Sequence, residues 1–216
     1  MAEAWSSWHH EYDEPHSPLA IRLAIVQDET RQALAHCTVG PIQLVSVGAG
    51  QGRDVVAALD GHPRRTDVTA VLVELDADNV AAARRRAATA GLANVSVVQA
   101  DASLTDLYAE CVPADVLLIC GIFGHISDVD IRRTIRFLPH LCAPEASVIW
   151  TRHLGPRDGS ANLTPTIRRW FAEAGFEEVT FRHTAQGHGI GVHRLATAPK
   201  PYEPGRQLFT FVEPST

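Results

Sequence analysis

Surplus positive charge is missing from this sequence of 216 residues. The formal net charge is -6 and the pI is near 6.0, so the chain lacks the broad electrostatic footprint of a nucleic-acid binder. Long hydrophobic runs are also missing: no apolar stretch approaches the roughly 20 residues that a membrane-spanning helix needs. Paired cysteine spacings are absent. Cys37, Cys111, Cys120 and Cys142 stand apart, with no Cys-x-x-Cys or His-Glu-x-x-His, so neither a zinc site nor a disulfide framework is expected. The start Met1-Ala2-Glu3-Ala4-Trp5 lacks a basic segment leading into an apolar one, which gives the expectation of a cytoplasmic protein with reduced thiols. Extended low-complexity sequence is absent as well, and 45% apolar residues suffice for one sizeable core, so a single domain over residues 1–216 is expected.

What is present is organised around Ile42-Gln43-Leu44-Val45-Ser46-Val47-Gly48-Ala49-Gly50-Gln51-Gly52-Arg53-Asp54. An apolar run with the character of a buried parallel strand breaks into alternating glycines and then becomes helical. Glycines at such a turn let backbone approach a ligand that a Cβ would displace. The spacing departs from the dinucleotide fingerprint, because Arg53 stands where the last glycine belongs. The Gly-Lys-Ser/Thr of a triphosphate loop is also missing. An adenosine without a pyrophosphate is the better match.

A second strand, Val68 to Val73, runs directly into Glu74. An Ala- and Arg-rich helix follows from Asp76 towards Gly91, a residue type that closes helices, and a third strand, Val95 to Gln99, leads into Ala100-Asp101-Ala102. A glycine loop, an acid after the second strand and an acid after the third, in this order and at these distances, resemble the class I S-adenosylmethionine-dependent methyltransferases. The resemblance covers about Ile42 to Ala196. It implies an α/β fold, a Rossmann-like seven-stranded mostly parallel sheet with helices on both faces and an antiparallel carboxyl-terminal hairpin.

That resemblance also implies roles. Gly48, Ala49, Gly50 and Gly52 would line the amino-acid part of S-adenosyl-L-methionine. Glu74 would accept both ribose hydroxyls, Leu75 would flank the adenine, and Asp101 with Ala102 would meet its polar edge. Cys120 and Gly121 would set backbone beside the methionine portion. Asp76 has a separate expected role at the start of its helix, where negative charge suits the dipole. Arg84-Arg85-Arg86 reads as a solvated helix face.

The rest of the chain supplies the expected surroundings. Residues 1–40 form an arm in which Trp5, Trp8, His9, His10 and Tyr12 precede a helix that Ser17 caps and Pro18 opens; Leu19, Leu23, Ile25 or Val26, and Leu34 give it an apolar face. The arm is read either as a lid, which places Tyr12 among the cofactor-binding residues, or as packing on the domain or a second subunit. A fourth strand, Pro113 to Cys120, ends in Gly121-Ile122-Phe123-Gly124-His125. Cys142-Ala143-Pro144-Glu145 reads as a turn into a fifth strand, Ala146 to Thr151, and Thr164 reads as the cap of a helix opened by Pro165. Ligands of open parallel sheets lie beyond the carboxyl ends of such strands, so His125 and His153 are the candidate catalytic residues. His188, at a Gly187-His188-Gly189 reversal, has no assigned facing. His183, His188 and His193 lie five apart across that reversal, and no metal site is expected of them. The tail from residue 197 ends in Gln207 to Val212, which returns as an edge strand or pairs across a homodimer.

The function expected is methyl transfer to a hydroxyl, amine or carbon of a small molecule. A non-catalytic S-adenosylmethionine-binding regulator and an RNA methyltransferase are the alternatives. Against the last, Cys120-Gly121-Ile122-Phe123 stands where one group of base methylases carries Asn/Asp-Pro-Pro-Tyr/Phe.

Overall fold

The structure is a computed structural model and describes residues 11–154 and 162–212. Trp5, Trp8, His9 and His10, and the loop after Leu154, lie outside the described residues.

Strands β1 (Ile42–Val47), β2 (Val68–Glu74), β3 (Val95–Gln99), β4 (Ala114–Ile119), β5 (Cys142–His153), β6 (Phe176–His183) and β7 (His188–Leu195) form one sheet in the order β3-β2-β1-β4-β5-β7-β6. β7 runs antiparallel to both β5 and β6, whereas the pairings among β1 to β5 are parallel. The order reverses at β1, which pairs with β2 on one side and β4 on the other, and this opens a crevice at the carboxyl ends of those strands.

Alternation along the central strands divides the core in two. Ile42 and Leu44 of β1, with Val116 and Leu118 of β4, face one layer; Val45, Val47, Leu117 and Ile119 face the other. The first layer is covered by α1 (Pro18–His36), α2 (Arg53–Leu59) and α3 (Ala77–Thr89), and the second by α4 (Asp128–Phe137) and α5 (Thr164–Glu173). Ser17 caps α1 by accepting from the Ala20 amide at 3.0 Å, and Asp76 caps α3 through Asn79 at 2.9 Å. Among the described residues no helix is long and apolar enough to cross a membrane.

Several local expectations are corrected. Cys142 to Glu145 is the first part of β5 and not a turn: Ala114 pairs with Cys142 but Val116 with Ser147, so extra residues bulge out, with Glu145 at φ 59°. Thr164 is the first residue of α5, with Leu163 at the cap position, and its amide donates to Asn162 Oδ1 at 3.0 Å. In the arginine run only Arg84 and Arg85 are exposed, and Arg84 still donates to the Val97 carbonyl at 2.8 Å; Arg86 turns back towards Gln51 Oε1 at 3.4 Å. Among the described residues the carboxyl-terminal tail joins no sheet edge. Its partners are loops and α4: Leu208 bonds Ser103 and Val212 bonds His125 (both 2.8 Å), Thr134 donates to the Leu208 carbonyl at 3.3 Å, and Leu208 and Phe209 fill the second core layer.

That layer also holds His193, 1% exposed and stacked on Phe171 at 4.2 Å. Its Nδ1 accepts from Trp150 Nε1 at 3.1 Å, which leaves the proton of the neutral ring on Nε2, 3.7 Å from Glu178 Oε2. Burial pushes its pKa down to about 4; Glu178 opposes the shift and Arg168 adds to it. An unfolded histidine protonates near 6.5, so between pH 6.5 and 4 the unfolded state binds the extra proton. Stability is therefore full above pH 6.5 and is lost as pH falls through that window. The expected loss from this ring is on the order of 1 to 3 kcal/mol. Denaturant melts of the protein and of His193→Gln at pH 7 and pH 4.5 check it: the variant should be less acid-sensitive, and equal sensitivity would remove the assignment.

Candidate active site

The turn from β1 into α2 carries three glycines with left-handed backbone, Gly48, Gly50 and Gly52, at φ 64°, 53° and 64°. Two of them answer to the fold's own packing. A Cβ on Gly48 would lie 2.5 Å from Ile122 Cδ1, and one on Gly52 would lie 2.8 Å from Leu72 Cδ2. The Gly50 amide donates to Glu74 Oε2 at 2.7 Å, while the Asp76 amide donates to Oε1 at 2.9 Å. Glu74 thus ties the glycine loop to the end of β2. Each of its oxygens has a further lone pair with which to accept a ligand donor.

Glu74 pairs in register with Gln99, which sets Glu74 and Asp101 at the same end of adjacent strands. Asp101 Oδ1 accepts from the Ser103 amide at 2.9 Å, closing a turn that buries Ala102. Leu75 is 60% exposed beside them, an apolar side chain with little protein cover. An exposed leucine next to a carboxylate that has acceptor capacity to spare is a fitting surface for a purine nucleoside, with ring contact from one and ribose contact from the other.

A cavity of about 240 Å³ lies further along the same crevice, between the start of α1, the loop after β4 and the ends of β5 and β7. His125, His153 and His188 all line it, together with Arg22, Thr151 and Arg152. The two histidines singled out from sequence are therefore brought together, and a third joins them. His188 is the first residue of β7 and is 8% exposed; the reversal closes before it, through the Gly187 amide and Thr184 carbonyl at 3.0 Å. Its ring meets that of His153 edge-on at 5.0 Å. Burial pushes the His188 pKa down to about 4, with the nearby Arg22 and His153 adding to the shift. The ring is neutral at physiological pH.

His125 is held through its backbone. Its amide bonds the Ile122 carbonyl and its carbonyl accepts from Val212, both at 2.8 Å, so the carboxyl-terminal tail braces this loop. Arg152 donates to the Phe123 carbonyl at 2.5 Å, and Thr151 Oγ1 accepts from the Gly121 amide at 2.9 Å. These bonds fasten the end of β5 to the loop after β4. Cys120 makes a long thiol contact with the Ile149 carbonyl at 3.8 Å, and burial raises its pKa far above the usual thiol range, so it has little thiolate character.

Tyr12 bridges the two halves. Arg22 Nη2 donates to its hydroxyl, the Arg22 and Arg53 guanidiniums stand 5.8 and 5.5 Å from its ring centre, and Asp13 pairs with Arg53 at 2.7 Å. The described part of the arm therefore folds against the start of α2, beside the glycine loop. Burial raises the Tyr12 pKa, so its phenol stays protonated. Arg22, Thr151 and Arg152 were not singled out from sequence. Thr151 and Arg152 were findable in principle, since they end the strand next to β4, but Arg22 carries no local signal. Among the described residues no group of three or more His, Cys, Asp or Glu side chains is placed to hold a metal ion.

Residues 44–145, just under half of the chain, match a family model described as a methyltransferase domain. An O-methyltransferase family protein from Burkholderia thailandensis superposes with a TM-score of 0.63 at 15% identity, over 82% of this chain and 57% of that one. The magnesium protoporphyrin IX methyltransferase of Synechocystis PCC 6803, solved with bound S-adenosylmethionine, gives 0.62 at 13% identity, over 80% and 79%. The glycopeptide N-methyltransferase MtfA, also complexed with S-adenosylmethionine, gives 0.59 at 14%, over 79% and 94%. At these identities the likeness is one of fold. This chain spans little more than half the length of the Burkholderia protein. No curated protein matches the sequence significantly.

Proposed function

We propose, from the match of residues 44–145 to a methyltransferase domain and from the S-adenosylmethionine-bound structures that share the fold, that this protein uses S-adenosyl-L-methionine to methylate a hydroxyl, amine or carbon of a small molecule. The observation that carries the reading is the position of the histidine-lined cavity. It abuts Gly121 at the end of β4, one strand from the glycine loop, so an acceptor there lies next to the methionine end of the crevice.

Glu74 holds the ribose hydroxyls, Leu75 covers the adenine, Asp101 and the Ala102 amide meet its edge, and Gly48 to Gly52 with Cys120 and Gly121 give backbone contact to the amino-acid end. When bound, the cofactor supplies an electrophilic methyl group on sulfur. The chain's own part is to align the acceptor, exclude water and receive a proton where the acceptor must lose one. Alignment alone is worth several kcal/mol of barrier. Tyr12, with Arg22 and Arg53 packed around it, closes the side of the crevice nearest the arm. His125 accepts the acceptor's proton or orients the acceptor by a hydrogen bond, with His153 alongside.

Support for a small acceptor comes from the size of the cavity, about 240 Å³, which is below the usual range for ligand sites. Incubating the protein with a metabolite extract and methyl-labelled S-adenosylmethionine should give one or a few labelled small molecules by mass spectrometry. Label taken up by total RNA in a parallel incubation, with none in the metabolites, would replace the small-molecule reading. Cofactor binding without label in any product would favour a regulator.

A further inference from the structure

Charge is unevenly distributed around the cavity. Arg22 enters from α1 and Arg152 from β5, with His125, His153 and His188 between them; Glu11 is the single carboxylate among the described lining residues. His188 Nδ1 is buried and has no hydrogen-bond partner among the described residues. Buried polar atoms of this kind are normally satisfied, and His188 lines the cavity, so a ligand there is the available source of the missing bond. Arg22 spends one N–H on the Tyr12 hydroxyl, and a guanidinium has five. None of the residues Gly48 to Gly52, Glu74 or Asp101 is among the described residues that line this space. It lies on the β4, β5 and β7 side of the crevice, away from the nucleoside-binding residues.

We propose that the small molecule that accepts the methyl group also carries a carboxylate, held between the Arg22 guanidinium and the His188 ring. The proposal rests on the methyl-transfer reading and names its substrate class. An anion suits both partners. It takes the planar donors of Arg22 in the geometry for which a guanidinium is matched. It also accepts from His188 in the tautomer that carries its proton on Nδ1, so the orphaned atom gains a partner. The neutrality of His188, whose pKa lies near 4, leaves Arg22 as the charge that selects the anion and His188 as the donor that orients it.

The test pairs acids with their neutral amides: salicylate with salicylamide, and 3-hydroxybutyrate with 3-hydroxybutanamide. Each is titrated calorimetrically into the full chain saturated with S-adenosylhomocysteine. At least one acid should bind tenfold or more tightly than its amide. Arg22→Gln, checked for folding by its melting temperature, should abolish that preference, and Arg22→Lys should retain part of it. Equal affinity for acid and amide in both pairs, including no detectable binding of any of the four, overturns the proposal. So does the converse source of a carboxylate, the cofactor's own amino-acid end. In that case Arg22→Gln weakens S-adenosylhomocysteine but not 5′-methylthioadenosine, which lacks that end, and leaves acid and amide alike. If Arg22→Gln does not fold, the comparison of acids with amides on the unaltered protein decides by itself. Failure of S-adenosylhomocysteine to bind the unaltered protein removes the methyl-transfer reading, and this proposal with it. Intact binding without acid preference removes this proposal alone.

Discussion

Glu74→Ala should weaken S-adenosylhomocysteine binding by about 100-fold or more, because two acceptor functions disappear together. Bonds to a charged acceptor are typically worth about 1.5 to 3 kcal/mol each, and every 1.4 kcal/mol is tenfold in affinity. The ribose would lose its pair of contacts. The amides of Gly50 and Asp76, now bonded to Oε2 and Oε1 at 2.7 and 2.9 Å, would also lose their acceptor, so the glycine loop would loosen in the free protein. Glu74→Gln separates the two effects. An amide keeps one acceptor oxygen, so it should hold one of the two backbone amides and bind with intermediate affinity. Calorimetry gives the binding and a thermal melt gives the loop's share. Affinity in Glu74→Ala equal to that of the unaltered protein would remove Glu74 from the ribose site.

The contrast between Glu74 and Gly48 shows how far residue type alone can be read. An acid at the end of a buried strand stands out by residue type, so its placement was legible from Val68 to Glu74 without tertiary information, whereas its bonds to the Gly50 and Asp76 amides were not. The glycines were legible as a turn, but not for the reason that Gly48 and Gly52 are needed. Those reasons are Ile122 and Leu72, side chains 74 and 20 positions away in the chain, which would meet any Cβ there. The bulge at Glu145 misled in the opposite direction. A proline followed by a residue that takes positive φ has the local chemistry of a turn, and only pairing with β4 reveals that the strand begins at Cys142. His188 was named but left without a facing, since its flanking glycines read as the reversal itself, whereas the turn is complete at Gly187. Arg22 was beyond reach. It is one of several polar positions on an amphipathic helix, and the packing of α1 beside β5 and β7 is what brings it to the cavity.

Of the three histidines that share the cavity, His125 should carry the largest effect on turnover. His188 is held neutral down to about pH 4, which makes it a poor proton acceptor at neutral pH and fits it for hydrogen bonding instead. His125 sits on the loop that follows β4, next to Gly121, with backbone bonds on both sides to Ile122 and Val212 that fix where the ring starts. Once an acceptor is known, His125→Ala should leave S-adenosylhomocysteine binding unchanged and lower kcat by about 10² to 10⁴, the usual span for a general base. His125→Asn tests what the ring does, because a carboxamide can orient a substrate but takes no proton near pH 7. Activity lost in both variants identifies a base. Activity retained in Asn but not in Ala identifies an orienting bond, and then the acceptor must already be nucleophilic or lose its proton to solvent. Full activity in both would remove His125 from the chemistry and leave alignment in the cavity as the whole of the chain's contribution.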